Sequence, residues 1–131
     1  MATMTLEQLF NTLGGRTLDV ARGATVLFKQ PVFTGSFRSP KFAGNRYVHG
    51  SIVADSYGAK TGQHTFTIEI IASEGVDALT QGDKLRIKGR NLYANCRTIE
   101  RAPEKNYEEK HARGDAARAK KLARRLAEAG Y

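Results

Sequence analysis

The spacing of hydrophobic positions changes twice along this chain. Leu6, Leu9, Phe10 and Leu13 recur at helical spacing, Thr5 followed by Gln8 has the form of a capping box, and Gly14-Gly15 ends the segment, so a short N-terminal helix is predicted. From Thr17 the period becomes two and β-branched and aromatic residues take over. Strands are predicted near 25–29, 46–54, 64–72, 84–90 and 92–100. Pro31 marks an edge or a stop. Residues 33–47 read as a long exposed loop or loose hairpin, and Gly58 and Gly62 turn the 46–54 and 64–72 strands into a hairpin. Glu74 to Leu79 has room for a helical turn, and Gly89 is expected to bend or bulge its strand. Past Ala102-Pro103 the β-forming residues thin out. Gly114-Asp115 offers a break and a cap, so 116–129 reads as a separate C-terminal helix with a thin apolar stripe of Ala119, Leu122, Ala123, Leu126 and Ala127.

The expected architecture is therefore mainly β: a small five-stranded OB-like barrel, with a short helix between the third and fourth strands, a short N-terminal helix and a basic C-terminal helix. The expected organisation is a domain over residues 1–102 followed by a mobile helical tail over 103–131. A length of 131 residues suits one core rather than two. No apolar run reaches the roughly 18 residues of a membrane span, and the N-terminus lacks the layout of a secretion signal. The lone Cys96 can form neither an internal disulfide nor a zinc knuckle, which fits a reducing compartment. The expected location is cytoplasmic, whether with a nucleoid or in a phage-infected host, with no membrane partner.

Charge brings function into the picture. The formal net charge is +8 with 21 Lys and Arg against 13 Asp and Glu, so polyanions are the natural partners. The excess is uneven: residues 1–15, 16–50, 51–100 and 101–131 carry −1, +5, 0 and +4. In the first basic zone Phe33, Phe37, Phe42 and Tyr47 interleave with Arg38, Lys41 and Arg46, the composition of a surface that lays a phosphate backbone on cations and stacks bases on rings. The other reading keeps the three phenylalanines as core anchors of a hairpin. Tyr57 and Lys60 sit in the 55–63 turn, as strand-wrapping residues or as ordinary turn residues. Lys84, Arg86, Lys88 and Arg90 repeat at period two opposite Leu85 and Ile87, which puts a ladder of cations on one sheet face, either a groove or a solvated surface. Arg118, Lys120, Lys121, Arg124 and Arg125 make the C-terminal helix an accessory phosphate-tracking or partner-docking element, or a solubilising one.

Two stretches carry a resemblance. Thr61-Gly62-Gln63-His64-Thr65-Phe66-Thr67-Ile68-Glu69-Ile70 resembles the third strand of bacterial single-stranded DNA-binding proteins, and Leu79 to Arg90 is similar to their fourth, with a glycine turn, an alternation and a closing glycine. The resemblance covers roughly residues 46–100 and implies an OB fold that binds single strands, a divergent member of bacteriophage or primosomal type, and a family that often forms homo-oligomers. This chain departs from that family in ending on a basic helix rather than an acidic recruiting tail and in having no Trp.

Catalytic patterns are weak. There is no phosphate-cradling glycine loop with Lys and Ser or Thr, His49, His64 and His111 stand apart, and Cys96 lies in an apparent strand where a buried thiol is the simpler reading. Asp55, Asp77 and Asp83 occupy positions that turn or cap chemistry explains. The expectation is a non-enzymatic protein with no cofactor and no metal, binding single-stranded DNA or RNA with little sequence preference, in replication, recombination or transcription. The alternative is an inhibitor or adaptor whose aromatics and basic helix meet an acidic protein partner.

Overall fold

Thr5 does cap the first helix. Its hydroxyl accepts from the Gln8 amide at 3.1 Å and the Gln8 side chain accepts from the Thr5 amide at 2.8 Å, starting α1 (Leu6–Thr12). The structure is a computed structural model that describes residues 4–17, 19–57 and 64–130. The remaining elements are β1 (Thr25–Ser36), β2 (Ser39–Tyr57), β3 (His64–Gly75), β4 (Lys84–Lys88), α2 (Gly89–Ala94), β5 (Cys96–Glu100) and α3 (Glu104–Glu128).

The expected mainly β architecture, with five strands and a helix at each end, is what forms. The five strands make one antiparallel sheet in the order β4-β3-β2-β1-β5. It is not a closed barrel: β4 and β5 are its two edges and do not pair. The reason lies in residues 89–94, of which sequence alternation assigns 89–90 and 92–94 to two successive strands. They form α2 instead, because Leu92 finds a fully buried place in the core and Gly89 allows close approach to Phe66, whose Cε2 lies 3.4 Å from where a Cβ would stand. A helix of six residues spans only about 9 Å, whereas five flat strands put their outer members about 19 Å apart. The sheet must coil until its edges come within reach of α2, which fills the gap between them.

The concave face gathers Val26, Phe28, Val48, Ile52, Phe66, Ile68, Ile70, Ile87, Leu92 and Cys96 into one core. All five strands contribute at alternate positions, as the pleat requires. At Gly50 a Cβ would lie 2.8 Å from Glu69 O and closer still to Ile68, so β2 and β3 approach there only because the side chain is missing. The convex face carries a smaller cluster in which α1 lays Leu6 and Phe10 over Leu27. Arg97 stacks its guanidinium 4.4 Å from the Phe10 ring centre and donates to Leu13 O, holding α1 down.

Two more expectations change, for residues 74–79 and for the C-terminal tail, and of the two forms expected for residues 33–47 the hairpin is the one that forms. Residues 74–79 form no helix: Gly75 takes φ 108° where a Cβ would strike Asn45 O at 2.6 Å, Asp77 takes φ 51°, and Arg46 donates to Asp77 O at 3.0 Å, so the segment is a turn tied to β2. Residues 33–47 are paired in a hairpin that extends β1 and β2 to the turn between Ser36 and Ser39, with one register shift at Val32/Phe33. The separate tail expected beyond residue 102 is one 25-residue helix, unbroken at Gly114, with its first half docked. Tyr107 is part of the core, Asn106 donates to Arg22 O at 2.5 Å, and buried Lys110 donates to Asp19 and, at 2.6 Å, to Val20 O. These contacts outweigh the roughly 1 kcal/mol that a mid-helix glycine costs. Beyond Arg118 the helix leaves its apolar stripe uncovered, with Leu122 and Leu126 exposed.

Two predictions follow from this packing. In urea unfolding, a chain ending at residue 118 should stay within about 0.5 kcal/mol of the full chain. A chain ending at 102 should lose more than about 3 kcal/mol, the scale of deleting one buried aromatic side chain. A 102-residue chain as stable as the full one would show that α3 is not part of the fold.

The second concerns His49, which lies between Leu27 and Ala72 in the register of the sheet, with Nε2 buried and without a hydrogen-bond partner. Burial lowers its pKa below the ordinary 6.5. The unfolded chain therefore binds the proton more readily, so the stability of the neutral ring is complete above about pH 6.5 and is lost as pH falls from there through the folded pKa. His49→Leu should flatten this acid limb, measured as the urea midpoint from pH 7.5 to 5. It should not abolish it, because His64 is lowered as well.

Candidate nucleic-acid interface

The hairpin owes its rings and cations to the local sequence. β1 pairs with β5 only from Thr25 to Phe28, with a last bond from the Lys29 amide to Asn95 O at 3.0 Å. From Gln30 to Ser36, β1 continues with β2 on one side and no strand on the other. Pro31 falls on this free edge, where its missing N–H costs no ladder bond, as the sequence anticipates. Phe33 and Phe42 meet edge to face at 5.9 Å and are 59% and 62% exposed, and Phe37 in the turn is fully exposed. Arg38 and Lys41 stand exposed beside them.

Arg46 and Tyr47 do not share that exposure. Arg46 donates from Nε to Gln30 at 2.9 Å and lies 3.8 Å from Asp77, which makes it a tie between loops. Tyr47 packs edge to face on Phe10 at 5.5 Å, so its ring belongs to the convex cluster and offers no free face as a platform. Its pKa is raised, by burial first and then by Glu7.

On β4, Lys84, Arg86 and Lys88 are all exposed on one face, with Leu85 and Ile87 turned the other way, as alternation predicts. Their β3 neighbours are Glu69, Thr67 and Thr65, so one acid faces three cations. Like charges on an edge strand also discourage edge-to-edge pairing. Arg90 leaves this line because Gly89 begins α2, and it stands exposed on that helix's first turn.

Tyr57 is not a free loop tip. Its ring meets His64 edge to face at 4.3 Å, its hydroxyl accepts from Arg118 at 3.4 Å, and Gly114 of α3 packs beside it. Lys60 lies outside the described residues. Beneath Tyr57, Asp55 is buried and accepts from Arg113 at 2.6 and 2.7 Å, with His64 Nε2 3.8 Å away. Burial lowers the His64 pKa, Asp55 opposing and Arg113 adding to the effect. This cluster joins α3 to the sheet. In the distal half of α3, Arg118 is paired with Asp115, Lys121 is half-buried, and Lys120, Arg124 and Arg125 are exposed.

Sequence reasoning missed the groove that the coiling creates. A cavity of about 420 Å³ is lined by Lys29, Pro31 and Phe33 from the free edge of β1 and by Ile87, Asn91 and Asn95 from β4, α2 and the residue after it. Asn95 sits in a stretch that reads as strand and Asn91 in the break before it, and no periodicity brings residue 33 near residues 87–95. Among the described residues no group of three or more His, Cys, Asp or Glu is arranged to hold a metal ion. Among the described residues no helix is long and apolar enough to cross a membrane. The Cys96 thiol is fully buried, and burial pushes its pKa up to about 12.

Comparison with known proteins reaches the sheet and its hairpin alike. "Zinc finger CCCH domain-containing protein 62" of Oryza sativa subsp. japonica is 38% identical over 111 residues, an alignment that covers 76% of this chain and 16% of the relative. The chain thus spans only 16% of the length of that relative. No solved structure matches it. Residues 21–102, well over half the chain and every strand of the sheet, match the family model described as "Domain of unknown function (DUF7699)", and the chain belongs to that family.

Proposed function

We propose that this protein is a non-catalytic nucleic-acid-binding protein that prefers single strands. The observation that carries the reading is the exposure of Phe33, Phe37 and Phe42 on one hairpin, beside exposed Arg38 and Lys41. Phe33 and Phe42 pair across the hairpin, but each keeps more than half its surface in water and Phe37 packs on neither sheet face, so the core does not account for the three rings. Rings of this kind stack on bases only where the bases are unpaired, and stacking is worth about 1 to 3 kcal/mol per base. Lys84, Arg86 and Lys88, with the exposed cations of distal α3, supply sequence-independent attraction to phosphates. The zinc finger in the rice relative's name does not pass to this chain, since one cysteine cannot complete a three-cysteine, one-histidine site.

Titration of labelled single-stranded and duplex oligonucleotides over a range of salt tests the reading. Single strands should bind more tightly than duplex, with log K falling linearly in log salt. Phe37→Ala with Phe42→Ala should weaken single-strand binding by about 10- to 100-fold, the loss of one or two stacks. Charge reversal at Arg86 and Lys88 should weaken both forms and flatten the salt dependence. Equal affinity for the two forms, or no dependence on salt, overturns the proposal in favour of a protein partner for the exposed rings.

A further inference from the structure

We infer that the groove between β1 and α2 is a pocket for one unpaired adenine, stacked on Phe33 and read by the side-chain amides of Asn91 and Asn95. The inference rests on the single-strand reading above and adds to it a base preference at one position. The groove's volume, about 420 Å³, is within the roughly 300 to 1,000 Å³ of small-ligand sites. Its walls are chemically unlike. Phe33 presents a ring with more than half its surface free, whereas Asn91 and Asn95 on the α2 side are exposed amides. Each amide carries donors and an acceptor side by side. That is the complement of adenine, which offers an amino donor beside a ring-nitrogen acceptor, and Asn or Gln is the usual partner of that pair.

The other bases fit less well. Unpaired cytosine and thymine also present a donor beside an acceptor to an amide, but a single pyrimidine ring covers less of Phe33 than the two rings of adenine. Guanine is matched by a bidentate Arg or Lys. Lys29, the one cation among the described residues lining the groove, would take the phosphate beside the stacked base. Gln30 has its carbonyl oxygen engaged by Arg46 at 2.9 Å, which keeps that side chain at the hairpin base and leaves the reading to the asparagines. A peptide strand added to the free β1 edge is the competing occupant, and Pro31 opposes it by removing an N–H from the ladder such a strand would need.

The pocket exists because of two features already described. β5 stops pairing at Cys96, and β1 runs on without it. α2 then turns Asn91 outward while Leu92 points into the core. Nothing in the core packing requires amides at 91 and 95, where any polar residue would serve solvation equally well.

The test uses the full chain and fluorescence anisotropy with a labelled dT12 strand, alone or with a single central dA, dC or dG. The central dA should tighten binding at least about fivefold over dT12, the factor that 1 kcal/mol supplies, and more than dC or dG does. Asn91→Ala with Asn95→Ala should remove that advantage, and Phe33→Leu should weaken the dA strand most. Independently of any variant, a dT12 strand with a central 8-azidoadenine, irradiated in complex with the wild-type protein, should label peptides within residues 29–33 or 87–95. Equal binding of all four strands, a preference for dG or dC, or labelling confined to other segments overturns the inference while leaving single-strand binding intact. Failure to bind any of the strands overturns both.

Discussion

The feature on which the rest depends is the shortness of the link between the two edges of the sheet. β4 and β5 lie at opposite ends of the strand order, yet only α2 and Asn95 separate them in sequence. A flat sheet would put its edges about 19 Å apart, too far for so short a helix, so the sheet coils around its own apolar face and α2 plugs the seam. Leu92 supplies the attraction and Gly89 the clearance over Phe66. The result has the enclosed core of a barrel without its continuous hydrogen bonding.

That constraint also produces the exposed surface. Since β5 is short, β1 outruns it and must extend as a two-stranded hairpin with no described strand paired to its far edge. An isolated hairpin is marginal in water. Here its base is part of a five-stranded sheet, and Arg46 ties it to the turn after β3. A rigid base under exposed rings is a suitable platform for a planar ligand, because the rings lose little freedom when one stacks on them.

The docking of α3 is governed by ionic groups rather than by its apolar stripe. Lys110 and Asp19, and Arg113 and Asp55, pair across the contact, and in each pair one member is buried. Such pairs add little net stability but penalise any arrangement that separates them, because removing one partner strands a buried charge. They fix where the helix lies. Its distal half, with Leu122 and Leu126 uncovered, extends past them.

Much of the fold is legible from residue order alone. The capping box at Thr5, the period-two runs through Val26, Ile68 and Ile87 and the cation ladder on β4 follow from local rules, because the pleat sends alternate residues to opposite faces whatever surrounds the strand. The exposure of Phe33, Phe37 and Phe42 was open in the sequence, since a ring on a hairpin packs or protrudes according to what lies across from it. Tertiary structure decided the remainder. Residues 89–90 and 92–94 read as the ends of two strands but became one helix across the seam, and Gly114 reads as a break but stayed helical because Tyr107 and Lys110 hold the turns before it. Tyr47 was taken into the cluster under α1, and Phe33 came to line one groove with Asn91. Local pattern dictates which way each side chain points from its strand. What it meets there depends on how far the sheet coils, and that was set by the reach of a six-residue helix.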